Sequence, residues 1–302
     1  MALFDIDDPN AHIGYRNLRA AAFPQEQAIK DGLERLWLRY KPYADTNFCT
    51  AFSRHPDERF WEMYLAIRFL DARKKMRKRE ELTADQRDSG PDICIRKGRR
   101  RIWIEGIATG AGNVDNLDQV PDLFAANADE VHDAPRRQIE LRITTALQRK
   151  AKKFEGYRKK GIIEEKDSCV IAISGGQFAL EAAGAGLPHA VTAVYPFGEE
   201  FAIVDRETAE FVAFGHKFSA EIKKARGRAE PRTAFQHKMF SSIAGIIWSL
   251  RSIGNFLGQS DDFVFVHNQM AERPIPRRWI NWDAEYFPIE YGKKLRKKIR
   301  RG

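Results

Sequence analysis

The sequence predicts an α/β protein with a mixed central sheet flanked by helices. Three observations predict it: a helical pattern beginning near residue 57, two short β-type runs on either side of residue 100, and a second helix followed by a buried apolar run. In the first element Asp57 and Glu58 sit in the opening turn, apolar residues recur at helical spacing, and basic residues crowd the end near residue 78, as a helix dipole favours. The polar stretch 83–90 separates this helix from Ile93-Cys94-Ile95 and Ile102-Trp103-Ile104. The basic, glycine-containing segment 96–101 joins those two runs, so they read as a hairpin.

Residues 113–133 are polar and acidic with little periodicity, and read as a long loop or a short-helix insertion. A second helix is expected over about residues 136–157. The run Cys169-Val170-Ile171-Ala172-Ile173 before Ser174-Gly175-Gly176 then reads as a buried strand. Strand, helix and strand in that order predict a right-handed crossover. Beyond residue 185 the strand candidates are 190–195, then 201–204 and 211–214 around the turn Asp205-Arg206-Glu207, and 263–266, with a helix over 240–250. They extend one sheet or build a second layer. The chain thus divides into an N-terminal helical segment (1–56), an α/β core (57–185) and a 186–302 part. That last part is an α+β C-terminal extension of the same domain or a second small subdomain with a basic tail.

A chain of 302 residues with 43% hydrophobic content buries a substantial core without staples. Cys49, Cys94 and Cys169 are few, odd in number and without metal-ligand spacing, which fits a reducing cytoplasm and neither a disulfide framework nor a zinc cluster. The N-terminus carries acids where an export signal has positive charge, and no apolar run approaches bilayer length. A membrane partner is therefore not expected. Net charge is +9, with 51 Lys+Arg against 42 Asp+Glu and a pI near 9.4, which favours polyanions. The basic runs at 73–79 and 293–301 read as solvated faces or as phosphate contacts.

The chemistry concentrates between residues 62 and 150. Gly90-Pro91-Asp92 heads the hairpin and Glu105 ends its second strand, so the antiparallel return brings two carboxylates to one end of the sheet. Two converging carboxylates and a main-chain carbonyl make a half-shell for a hard cation, Mg²⁺ or Mn²⁺, completed by water and substrate phosphate. Glu62 lies on a helix apolar nearly all round, where an ionised acid needs a cation. Pairing with Arg68 or another base is its structural alternative. On the second helix Ile143, Leu147 and Phe154 form a stripe whose i+7 position is Lys150, a cation aimed at the sheet or a snorkelling lysine, with Lys153 as its neighbour.

These residues resemble the PD-(D/E)xK restriction-endonuclease-like nuclease superfamily over about residues 57–175. The resemblance implies a restriction-endonuclease-like core, with Asp92 as the first motif acid, Glu105 as the second and Glu62 as the extra helix acid of some members. All three acids become metal ligands, and Asp92, Glu105, Glu62 and Lys150 the catalytic set. The family lysine two positions after the second acid is Ile107 here, and Lys150 fits the variant in which that lysine has moved to the following helix. The implied activity is Mg²⁺-dependent hydrolysis of phosphodiester bonds in DNA, in restriction, phage defence or repair, with a homodimer left open. The rivals are an inactive nuclease-fold binding or assembly module, motivated by Ile107, and a basic RNA-binding or toxin-like protein.

Other chemistry is set aside. His216, His237 and His267 lack zinc-site spacing, and Ser174-Gly175-Gly176 and Gly184-Ala185-Gly186 lack a P-loop lysine or a nucleophile-elbow frame. The segment Pro274-Ile275-Pro276-Arg277-Arg278-Trp279 either pins a chain end or tracks a nucleic-acid backbone.

Overall fold

The computed structural model describes residues 1–113, 115–121, 134–178, 186–258, 263–289 and 294–299, the side chains of 294 and 295 excepted. Helices α1 (Ile13–Ala20), α2 (Pro24–Tyr40), α3 (Phe48–Arg54) and α4 (Pro56–Asp71) come first. They lead through β1 (Lys75–Met76) and α5 (Ala84–Ser89) to β2 (Ile93–Lys97), β3 (Arg100–Ala108), α6 (Arg136–Lys159) and β4 (Ser168–Ser174). A short α7 (His189–Thr192) precedes the hairpin β5 (Phe197–Val204) and β6 (Phe211–Phe218), then the small pair β7 (Glu221–Ile222) and β8 (Glu230–Pro231). The chain returns to the centre with β9 (Ile243–Ser249), β10 (Val264–His267), β11 (Ala284–Ile289) and β12 (Lys294–Ile299).

Eight strands make one mixed sheet in the order β1-β2-β3-β4-β9-β10-β11-β12. β3, β4 and β9 are parallel, while β2 pairs antiparallel with β3 and β10 with β9. Strand alternation sends Ile104, Ala172, Ile247 and Phe265 to the face covered by α4, and Trp103, Ile171, Ile173 and Val266 to the face covered by α6. Strands β9 to β12 thus extend the same sheet, whereas β5–β6 and β7–β8 form two separate two-stranded ones. The result is a mixed α/β architecture with helices on a large mixed sheet.

Four elements differ from the sequence reading. Helix α4 stops at Asp71 because Arg73 turns left-handed (φ 53°), with Arg73 N–H on the Leu70 carbonyl at 2.9 Å and Lys74 N–H on that of Phe69 at 3.0 Å. The basic run that follows begins the edge strand β1 instead of ending a helix. The polar stretch 83–90 holds α5, capped reciprocally by Thr83 and Gln86. Residues 240–250 are strand β9, not a helix; its apolar run is buried on both faces, and a Cβ on Gly245 would lie 2.5 Å from the Val266 carbonyl of the neighbouring strand. Residues 190–195 form α7 and a turn after Pro188 instead of a strand. The insertion read over 113–133 lies mostly outside the described residues, as do Gly184 and Ala185 and the ends of the 293–301 run.

Candidate functional site

The hairpin brings Asp92 and Glu105 to one end of the sheet, as its topology requires. Asp92 stands one residue before β2, and its Oδ2 accepts a 2.6 Å bond from Gly106 N–H, the residue after Glu105. Position 106 lies in van der Waals reach of both Asp92 Oδ2 and Trp61 Cδ1, each 3.4 Å from where a Cβ would stand. Trp61 in turn donates Nε1–H to the Ala172 carbonyl at 3.0 Å, which fixes α4 over the sheet. Asp92 is half-buried, and its Oδ1 has no partner among the described residues. Burial and the nearby charges of Glu105 and Glu62 hold its carboxyl well above the usual range, against the pull of Lys150 and the Gly106 amide.

Glu105 is fully buried on the α6 side of β3. Lys150 Nζ lies 2.8 Å from its Oε1, Lys153 contacts the same oxygen, and Tyr157 donates to Oε2 at 3.2 Å. Lys150 itself is buried, so its head does not snorkel to water. Burial alone lowers a lysine, but Glu105 outweighs it and raises Lys153. Tyr157 is raised by burial and by the same carboxylate. Ile107, two residues along β3, shares the Glu105 face and is half-buried against the α6-side core, so that strand position is apolar and the cations beside Glu105 arrive from α6.

Glu62 is buried behind this pair. Its oxygens accept from Tyr40 at 2.5 Å and from Arg59 at 2.7 Å, while Arg68 pairs instead with Asp283 at 3.4 Å. Burial pushes the Glu62 carboxyl up despite Arg59 and Tyr40. The structure therefore brings Asp92, Glu105 and Lys150 into one cluster with Glu62 close enough to repel Asp92. Among the described residues no three His, Cys, Asp or Glu side chains converge on one metal position.

Sequence reasoning missed Tyr40, Arg59 and Tyr157. The last had a signal, because positions 150, 153 and 157 share one helix face; Tyr40 comes from another helix and had none. It also missed Arg142 and Arg149, which line a cavity of about 300 Å³ past the end of β3 together with Ile107, Thr109, Gln177 and Glu58. Burial and the charge of Arg149 lower Arg142, whose Nε–H donates to the Gly110 carbonyl at 2.9 Å.

Among the described residues no helix is long and apolar enough to cross a membrane. Comparison with protein-family models, with curated proteins and with solved structures finds no match to this chain.

Proposed function

We propose that the chain is a Mg²⁺-dependent nuclease of the restriction-endonuclease-like kind, hydrolysing phosphodiester bonds in DNA. The observation that carries this reading is the convergence of Asp92, Glu105 and Lys150 at the end of β3, with the lysine supplied by α6 where Ile107 stands in its place. Two carboxylates completed by water are a usual way of holding a hard cation such as Mg²⁺. Mutual repulsion among Asp92, Glu105 and Glu62 is what such a cation relieves.

Asp92, through its unpartnered Oδ1, and Glu105 would hold the ion, which supplies positive charge to the phosphoryl oxygen and favours water as hydroxide. Lys150 stabilises charge on the phosphoryl group as it is attacked. Glu62, held by Tyr40 and Arg59, orients water beside the ion. Arg142 and Arg149 meet an adjacent backbone phosphate at the rim of their cavity. The net charge of +9 supports a polyanionic substrate.

One observation favours a second reading, an inactive module of the same fold: both Glu105 oxygens are already taken by Lys150, Lys153 and Tyr157. Cleavage of supercoiled plasmid, with Mg²⁺ or with EDTA, by wild type and Asp92→Ala separates the two. The nuclease reading expects Mg²⁺-dependent nicking that Asp92→Ala abolishes. Cleavage that persists in EDTA or in Asp92→Ala, or no cleavage by the folded wild type, overturns it.

A further inference from the structure

We infer that the hairpin of β5 and β6 is a docking arm for a second copy of this chain, each copy laying its arm on the basic sheet edge of the other. This inference does not rest on the nuclease reading. Every residue from Glu199 to Phe214 is exposed, so neither face of the ribbon is covered along that length. Its side chains are nevertheless those of a buried strand pair: Phe211 is 81% exposed, Phe218 79% and Phe214 69%. Pairing of Ala202 with Phe214 and of Val204 with Phe211 puts both rings on one face, and Phe201 and Ile203 occupy the other. Asp205 fixes the turn by accepting the Glu207 and Thr208 N–H groups at 2.8 Å each, so the arm is a formed element. A two-stranded ribbon with nothing against it is marginal in water.

The area on offer is that of an interface. Taking about 200 Å² for a phenylalanine, the exposed apolar side chains of the arm total roughly 700 Å². The largest apolar patch on a typical monomer is about 300–600 Å². With one face of each arm covered, two arms and the two surfaces that receive them bury roughly 1,400 Å², the size of a specific protein–protein interface.

Charge selects the occupant. Residues 197–218 carry Glu199, Glu200, Asp205, Glu207 and Glu210 against Arg206 and Lys217, a net −3 with histidine neutral, whereas the whole chain is +9. The rest of the chain is therefore +12. Three of the acids, Asp205, Glu207 and Glu210, stand at the tip between the strands. Such tips repel one another, a nucleic acid and an anionic lipid surface, and are drawn to the basic body of another copy.

The outer strand β12 offers the complement. It closes the eight-stranded sheet, has no partner strand on its outward side among the described residues, and carries Arg296, Lys297 and Lys298. Lys297 pairs across the strands with Tyr286 and holds its ammonium 5.7 Å from that ring, and the charge of Glu200 at the base of the arm reaches the same tyrosine. Arm and basic edge thus arise side by side, the arrangement in which a two-fold axis closes two reciprocal contacts.

The test is sedimentation equilibrium of the full chain at micromolar concentrations. Wild type is compared with Phe211→Ser carrying Phe214→Ser, whose rings are exposed, and with Arg296→Glu carrying Lys297→Glu on β12. We expect a wild-type dimer whose dissociation constant each double variant raises at least about tenfold, while the far-ultraviolet circular dichroism of both variants stays that of wild type. An equimolar mixture of the two variants should regain part of the dimer, because one intact arm then meets one intact edge. A monomeric wild type, a dimer that the arm variant leaves unchanged, or variants that stay monomeric when mixed overturns the inference. Flotation with phosphatidylcholine vesicles by a monomeric wild type and not by the arm variant gives the arm to a membrane and overturns it as well.

Discussion

Two glutamates, Glu105 facing α6 from the sheet and Glu140 within α6, are each fully buried and each ringed by two cations and a hydroxyl. Glu105 receives Lys150, Lys153 and Tyr157. Glu140 receives Arg136 at 3.2 Å, Arg232 at 2.5 Å and the Thr192 hydroxyl at 2.6 Å. Their burial and satisfaction are equivalent, so neither property distinguishes a site from a structural anchor. What differs is the second carboxylate. Asp92 stands beside Glu105, raised by burial and like charge and with one oxygen unpartnered, whereas Glu140 ties α6 to α7 and to Arg232 just past β8. A buried acid becomes a candidate for chemistry when a neighbour of the same sign is left needing a cation.

The largest expected effects test that distinction directly. Glu140→Gln removes the carboxylate paired with Arg136 and the nearly buried Arg232, which should cost roughly 3–5 kcal/mol and lower the melting temperature by about 10 °C. Cleavage per folded molecule should not change. Glu105→Gln leaves Lys150 within the field of Asp92, so the melting temperature should move much less, while Mg²⁺-dependent cleavage falls by at least about a hundredfold. Thermal melts and single-turnover cleavage of both variants decide it. Equal behaviour in both assays would erase the difference between the two glutamates.

A smaller effect sharpens the role of Lys150. Lys150→Ala should slow cleavage about a hundredfold, with the buried Glu105 still held by Lys153 and Tyr157. Adding Ile107→Lys places an ammonium on the same face of β3 as Glu105, beside the Arg142 cavity, and should restore about tenfold. A double variant that melts like wild type and cleaves no better than Lys150→Ala would sink the idea that the helix lysine replaces one on the strand.

How much of this was legible follows from how local each cause is. Asp92, Glu105 and Lys150 could be read because a hairpin and one helix face bring them together, and those constraints act over a few residues. The stripe through Ile143, Leu147 and Phe154 aimed Lys150 correctly, and the apolar surround of Glu62 announced a partner without saying which; Arg59 at i−3 took the place given to Arg68. Strand β9 was misread because central strands buried on both faces carry no alternation, so 240–250 looked like a buried helix until its neighbours in the sheet were known. Helix α5 was missed although Thr83 and Gln86 spell a capping box. Glu140 attracted no notice, because its partners Thr192 and Arg232 are 52 and 92 residues away.

The mildest prediction uses pH to set the two clusters against each other. Asp92 is raised in the folded chain, so between the usual carboxylate range and its own higher value the folded state holds a proton that the unfolded state releases. Its contribution to stability is complete at low pH and is lost as pH rises through the folded value. His189, in the Glu140 region, is shifted the other way, to about 4, by burial and by the charges of Arg136 and Arg232. It stays neutral where an unfolded histidine is charged, so its contribution is lost as pH falls from about 6.5 toward about 4. Asp92→Asn should therefore stabilise the protein at pH 7 by about 0.5–2 kcal/mol and flatten the neutral side of a stability–pH curve. His189→Gln should flatten the acid side and leave the neutral side unchanged. Denaturant melts from pH 4 to 8 measure both slopes. If Asp92→Asn instead destabilises at pH 7, the carboxylate is held by attraction and not opposed by its neighbours, and the argument that its site calls for a cation fails with it.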